Sequence, residues 1–164
     1  MFKMEINGRV AAKGIATVDY NIDKVIEFLF KDDTLPKLNS QVVENKLLFN
    51  HEDLKVSYQQ YKAVWPVANR DFIMLINKVT EGDKVYMGSK SCSFPHPEVK
   101  GIVRGELNIG GYIVEKIDEG HTRVTYLSDA DLKGNIPQMV QNKLSAGQGE
   151  VAGRVQDVMK KSGY

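Results

Sequence analysis

Cys92 and His96 stand four residues apart, a separation at which a thiol and an imidazole can meet as nucleophile and base. Pro95 lies between them and no oxyanion-stabilising element accompanies them, so the pair is read as incidental. The other histidines, His51 and His121, are scattered, and with one cysteine in the chain they make no zinc-ligand spacing. Gly110-Gly111 falls inside a strand pattern and reads as a bulge, not a phosphate-binding loop. Lys160-Lys161 ends a helical pattern, where two cations complement the helix dipole. These residues assemble no acid, base, nucleophile or metal site. The chemistry to look for is burial and hydrogen bonding, without a cofactor.

The composition narrows the class. With 164 residues, 42% apolar and 26% charged, the chain is ordinary globular material long enough to bury a core, and it reads as one domain over residues 1–164. A net charge of +1 argues against a general nucleic-acid binder. A lone cysteine permits no internal disulfide and fits a reducing compartment. No apolar run approaches the roughly 18 residues that cross a bilayer. The start, MFKMEINGRV, alternates apolar and polar residues and lacks a signal-peptide core. Phe2 follows Met1, which excludes myristoylation, and KKSGY is not a prenylation box. The expectation is a cytoplasmic protein that meets membranes reversibly.

Period-two alternation dominates the chain. Phe2, Met4 and Ile6 alternate with polar residues; after a break at Gly8, so do residues 15–20. A helix opens at Asn21 or Asp23, shows Val25, Ile26, Phe28 and Leu29 on one face, and stops at Pro36. Strands follow at Val42–Phe49, Leu54–Val64, Asp71–Val79 and Val85–Cys92, the last two joined by a Glu81-Gly82-Asp83 turn. Ser93–Gly101 holds two prolines and reads as a loop; Ile102–Ile117 is a long strand and Thr122–Ala130 the last one. Short sequential links favour an antiparallel meander. The period then changes. From Pro137, apolar residues recur at threes and fours (Val140, Leu144, Val151, Val155, Val158) as one amphipathic helix to about Lys161, roughly 36 Å long. The class is therefore α+β: a curved antiparallel sheet wrapped around a long C-terminal helix. Ala146, Gly147, Gly149, Ala152 and Gly153 make that helix poor in bulk. This admits close packing, a break into two helices, or room for an apolar guest.

Four stretches lie in register with one known family. Trp65-Pro66-Val67-Ala68-Asn69-Arg70-Asp71-Phe72 resembles the W-P-x-x-x-R-D-F element of START (StAR-related lipid-transfer) domains. His96-Pro97, Val103-Arg104-Gly105 and Asp131-Leu132-Lys133-Gly134-Asn135-Ile136-Pro137 are similar to the family's later landmarks. The resemblance covers roughly residues 10–160. It implies a helix-grip fold, a tunnel for one lipid or sterol, no catalysis, and a gate made from the C-terminal helix and the loop Ser93–Gly101. Against the family pattern this chain is a minimal version lacking the usual N-terminal helix, and Leu38-Asn39 stand where a tryptophan is usual. The charged pair of cholesterol-handling members falls on Ser57 and Ile76, so a sterol ligand does not carry over by analogy.

Strand parity then supplies a lipid-binding set. With Ser57 and Ile76 inward, Tyr61, Phe72 and Met74 are inward too, followed by Val85 and Met87, then Tyr112 and Val114. From the helix come Met139, Val140, Leu144, Gly147 and Val151. Plain core is the competing role for each of them. Tyr61, Tyr112 and Ser57 add hydroxyls, and Trp65 and Arg70 read as structural, Trp65 as a buried corner in preference to an exposed membrane anchor and Arg70 as bound to a carboxylate or backbone carbonyl. The expected partner is a phospholipid, sterol or fatty acid, with transient membrane contact and no nucleic acid. Two other readings stand beside this carrier: an enzyme of the polyketide cyclase or aromatase type, which Arg104 or Glu106 facing inward would favour, and an interaction module with a collapsed cavity.

Overall fold

The computed structural model describes residues 2–6, 9–63 and 65–164. The break expected at Gly8 and the end of a strand at Val64 lie outside them. The strands are β1 (Phe2–Ile6), β2 (Arg9–Val18), β3 (Val42–His51), β4 (Leu54–Tyr61), β5 (Arg70–Glu81), β6 (Lys84–Ser91), β7 (Val103–Arg104), β8 (Glu106–Lys116) and β9 (Thr122–Asp131). They form one sheet in the order β1-β2-β9-β8-β6-β5-β4-β3, and β7 pairs in parallel with β5. From β3 to β9 the path is the expected meander with β7 set aside. β2 joins beyond β9, so two helices must carry the chain from β2 to the far edge at β3. The single strand expected over Ile102–Ile117 is broken at Gly105, where a Cβ would lie 2.5 Å from the Phe72 ring. The bulge is not at Gly110-Gly111, which pair in register with Ser128 and Leu127; the register shifts between Leu107 and Ile109.

Helix α1 (Ile22–Phe30) begins where Asn21 accepts a hydrogen bond from the Lys24 amide at 3.0 Å. Val25, Phe28 and Leu29 are its buried face. Pro36 does not end this helix. It sits in the first turn of a second, α2 (Thr34–Leu38), where a missing amide hydrogen is tolerated. The C-terminal segment is two helices rather than one, α3 (Gln138–Gly149) and α4 (Val151–Lys161), parted at Glu150. A close approach explains the interruption: a Cβ on Gly14 of β2 would stand 2.3 Å from the Gly149 carbonyl oxygen. The helix backbone thus rests directly on the sheet at the point where the sequence is richest in glycine.

The two helices fill their space unequally. Val151, Ala152, Val155 and Met159 of α4 are fully buried against Val18, Val85, Val114, Val124 and the apolar face of α1. Burying each large side chain contributes about 1.5–3 kcal/mol. α3 is polar over most of its surface and buries only Val140, Ser145 and Gly149. The main core therefore lies under α4.

The mouth end of the sheet is fixed by Arg70. It is 7% exposed, and burial lowers its pKa. Its Nε donates to the Leu132 carbonyl at 2.9 Å, one Nη to the Lys133 carbonyl at 3.0 Å and the other to the Ala68 carbonyl. Of the two partners expected for Arg70, the backbone carbonyl is found. One guanidinium clips the β4–β5 loop to the segment that opens α3. The neighbouring Asp71 points to the opposite, convex face, where Arg104 binds it through two nitrogens at 2.6 and 3.1 Å. On that face the loop Ser93–Gly101 covers a second small core: Phe94 packs on Val56, Tyr58 and Ile73, and His96 stacks on Tyr58 at 4.3 Å. The gate expected from this loop is corrected accordingly, since it packs on the face away from the concave side.

Three substitutions test this account. Gly14→Ala is expected to destabilise by about 1–3 kcal/mol, because the added methyl meets backbone. Gly153→Ala, with nothing within 4 Å of the new atom, is expected to stabilise by about 0.5–1 kcal/mol in the same urea titration. Arg70→Lys is expected to lose about 2 kcal/mol, since one ammonium cannot serve three divergent carbonyls, and to speed amide exchange through residues 132–149. Unchanged exchange there with a normal urea midpoint would contradict the clip.

Candidate functional site

Between α3 and the concave face of the sheet lies a cavity of about 170 Å³. β4, β5, β6, β8 and β9 supply its floor, α3 its roof, and the end of α1 with the α1–α2 link one of its ends. Alternation along each strand decides which side chains enter. On β4, Ser57, Gln59 and Tyr61 face the cavity while Val56 and Tyr58 face the convex core. On β5 the same rule brings in Phe72, Met74 and Ile76. Met87 and Ser89 enter from β6, Tyr112 from β8, and Tyr126, Ser128 and Ala130 from β9.

Eight of the fourteen residues expected to bind lipid therefore line the cavity: Ser57, Tyr61, Phe72, Met74, Ile76, Met87, Tyr112 and Leu144. The remaining six do not. Val85, Val114 and Val151 point to the concave side but lie further along their elements, where α4 packs them into solid core at 3%, 0% and 0% exposure. Val140 is buried at the start of α3. Gly147 faces the Gln41 side chain, which would lie 3.1 Å from an added Cβ. Met139 is 79% exposed and turned away from the sheet.

Several wall residues lay outside the parity set. Gln59 lies between Ser57 and Tyr61 and shares their face. Tyr126 and Leu107 sit on strands whose register needs the observed pairing. Gln41, Asn45 and the end of α1 reach the cavity only because β3 folds back beside β4. The apolar face of α1 already includes Leu29 and continues to Phe30, but nothing local marks Gln41 or Asn45.

The interior is apolar with a line of neutral polar groups. Tyr61 Oη donates to Gln59 Oε1 at 2.7 Å, and Gln59 Nε2 donates to Ser57 Oγ at 3.3 Å. Tyr126 Oη donates to Gln148 Oε1 at 2.6 Å and ties β9 to α3. Burial holds the Tyr61 and Tyr112 phenols well above their ordinary pKa and lifts Tyr126 to about 12, so all three remain uncharged donors at neutral pH. The rings pack on one another, Tyr112 on Tyr126 at 5.1 Å and Tyr61 edge-on to Phe72 at 5.6 Å.

Charged groups stand at the two ends. At one, Lys55 Nζ donates to the Phe30 carbonyl at 2.6 Å and to Asp32 at 2.7 Å, and lies 4.1 Å from the Phe30 ring centroid. At the other, Arg70 is held by carbonyls and Lys62 is exposed. The two residues that would have favoured catalysis are engaged elsewhere: Arg104 with Asp71, and Glu106 with Lys133 at 2.9 Å. No group of His, Cys, Asp and Glu suited to a metal ion occurs among the described residues. No helix among them is long and apolar enough to cross a membrane. Trp65, expected as a buried corner, is 89% exposed.

Comparison with known proteins agrees with this geometry. The family model for the START domain matches residues 28–162. START domain-containing protein 10 of Mus musculus and of Homo sapiens is 30% identical over 114 residues, covering 66% of this chain and 38% of the relative. The chain thus spans about two fifths of the length of these curated relatives. Human StAR-related lipid transfer protein 5 superposes with a TM-score of 0.81 at 18% identity, over 98% of this chain and 86% of that one. The Zhui aromatase/cyclase of Streptomyces sp. R1128 shares the fold at a TM-score of 0.62 and 11% identity, over 94% and 93% of the two chains. With the helix-grip fold, the cavity and a family model covering most of its length, the chain belongs to the START domain family.

Proposed function

We propose that this protein is a carrier: it takes up a lipid or similar hydrophobic molecule between the sheet and α3 and transfers it between membranes. The observation that carries this reading is the cavity itself, walled mainly by apolar side chains and roofed by the helix that buries least of its own surface. Ser57, Tyr61, Phe72, Met74, Ile76, Met87, Tyr112 and Leu144 are the proposed ligand contacts among those expected from sequence. An apolar guest gains about 0.8 kcal/mol per buried methylene, so shape and burial suffice for affinity. The space left open argues against an interaction module with a collapsed cavity. The carboxamides and hydroxyls of the interior give an enzyme little acid–base capacity, since carboxamides do not titrate and the buried phenols stay protonated.

The membrane-facing end is proposed to be the one that Arg70 clips together. Trp65 on the β4–β5 loop is 89% exposed, and Met139 at the start of α3 is 79% exposed. Val67 and Leu132, on the same two segments, line the cavity. An exposed indole beside a cavity mouth suits the interface between headgroups and acyl chains. The lone Cys92 is consistent with a cytoplasmic setting for such a carrier.

Transfer of a fluorescent lipid between donor and acceptor vesicles tests both parts. The wild-type chain is expected to accelerate transfer. Trp65→Ser with Met139→Ser is expected to slow it by at least about tenfold, since two large apolar anchors are lost, while the ligand-loaded fraction stays constant. Equal rates for the double variant would refute the assigned contact surface, and no acceleration by the wild type would refute the carrier.

A further inference from the structure

We propose that the cavity selects a lipid with a single apolar chain and a neutral head that donates hydrogen bonds, read by the carboxamide oxygen of Asn45. This rests on the carrier reading above and goes beyond it in naming the ligand class.

The shape comes first. Along β4 the lining runs from Lys55 to Tyr61, about 20 Å of strand. For that length, 170 Å³ is a small space. It falls below the roughly 300–1,000 Å³ of ligand pockets in general, which favours the slimmest guest, one apolar chain, over a fused-ring system or two acyl chains.

The polar chemistry comes second. Asn45 and Gln59 are cross-strand partners on β3 and β4 and both line the cavity. Asn45 Nδ2 donates to the Asp32 carbonyl, which fixes the amide so that its oxygen points elsewhere. That oxygen, Asn45 Oδ1, is buried and accepts no hydrogen bond from any described residue. A buried acceptor without a donor carries a desolvation penalty that a ligand hydroxyl or N–H would relieve. A carboxylate, phosphodiester or simple ester brings only acceptors and would leave it unrelieved.

The ionic groups point the same way. Lys55 is taken by Asp32 and the Phe30 carbonyl, Lys31 by Glu27 at 2.9 Å, and each nitrogen of Arg70 by a backbone carbonyl. Asp32 itself lines the Asn45 end and repels an anion. Lys62 is exposed at the rim, where water already solvates its charge.

The test is binding of a matched panel by native mass spectrometry and competition. Monopalmitoylglycerol and N-palmitoylethanolamine have donor heads. Methyl palmitate, palmitate and hexadecylphosphocholine have acceptor-only heads on a chain of matched length. Cholesterol and dipalmitoylphosphatidylcholine probe width. The donor-headed ligands are expected to bind about tenfold tighter than the acceptor-only set, and Asn45→Leu to erase that preference. Equal or tighter binding of any acceptor-only, sterol or diacyl ligand would overturn the inference and leave the carrier standing. A preference that survives Asn45→Leu would overturn the role given to that residue. Failure of the whole panel to bind would overturn both the inference and the carrier.

Discussion

The contact on which the structure turns is backbone against backbone: the Gly149 carbonyl seated where a side chain on Gly14 would be. It draws the C-terminal helices onto β2 at one point and interrupts them there. On one side of that point α4 carries valines and a methionine that fill the concave face completely. On the other, α3 carries serine, glycine and glutamine in place of bulky apolar side chains and leaves space between itself and the sheet. Packing at interior density leaves few voids larger than a water, so the space under α3 is a deliberate consequence of composition. One half of the grip is core and the other half is a container.

Arg70 gives the container its mouth. The W-P-x-x-x-R-D-F stretch and the Asp131–Pro137 stretch are far apart in sequence, yet a single guanidinium binds carbonyls in both segments. Asp71, its neighbour, faces the other way and fixes Arg104 on the convex side. The motif is thus a two-sided fastener whose alternate residues serve opposite faces of the sheet. It leaves Trp65 outside and Val67 inside, so the same short loop meets solvent and cavity.

Much of this was legible in the sequence because period-two alternation survives whatever the tertiary context. Placing Ser57 inward fixed Tyr61, Phe72, Met74 and Ile76 correctly, and crossing one hairpin fixed Met87. Parity gives the side of the sheet but not the position along it. Val85 and Val114 face the right way and are core because α4, not α3, lies above them. Periodicity likewise ran through Glu150, since the break comes from a contact with β2 that no local pattern encodes. Trp65 looked buried because a large aromatic beside proline suits a corner; its exposure depends on what does not cover it. Gln41 and Asn45 were invisible for the same reason as the α1–α2 link: they reach the cavity through the fold-back of β3, a long-range event.

The central claim is that the space under α3 holds an apolar ligand. The most direct measurement is a native mass spectrum of the protein under gentle desolvation, after incubation with a total lipid extract and removal of unbound lipid, with extraction and identification of whatever remains bound. The account requires a discrete adduct near one per chain, lost when Ala130→Trp places an indole in the cavity while the fold is retained by circular dichroism. An adduct that persists at the same level in the filled variant, or a wild-type chain that stays free of lipid, would contradict it.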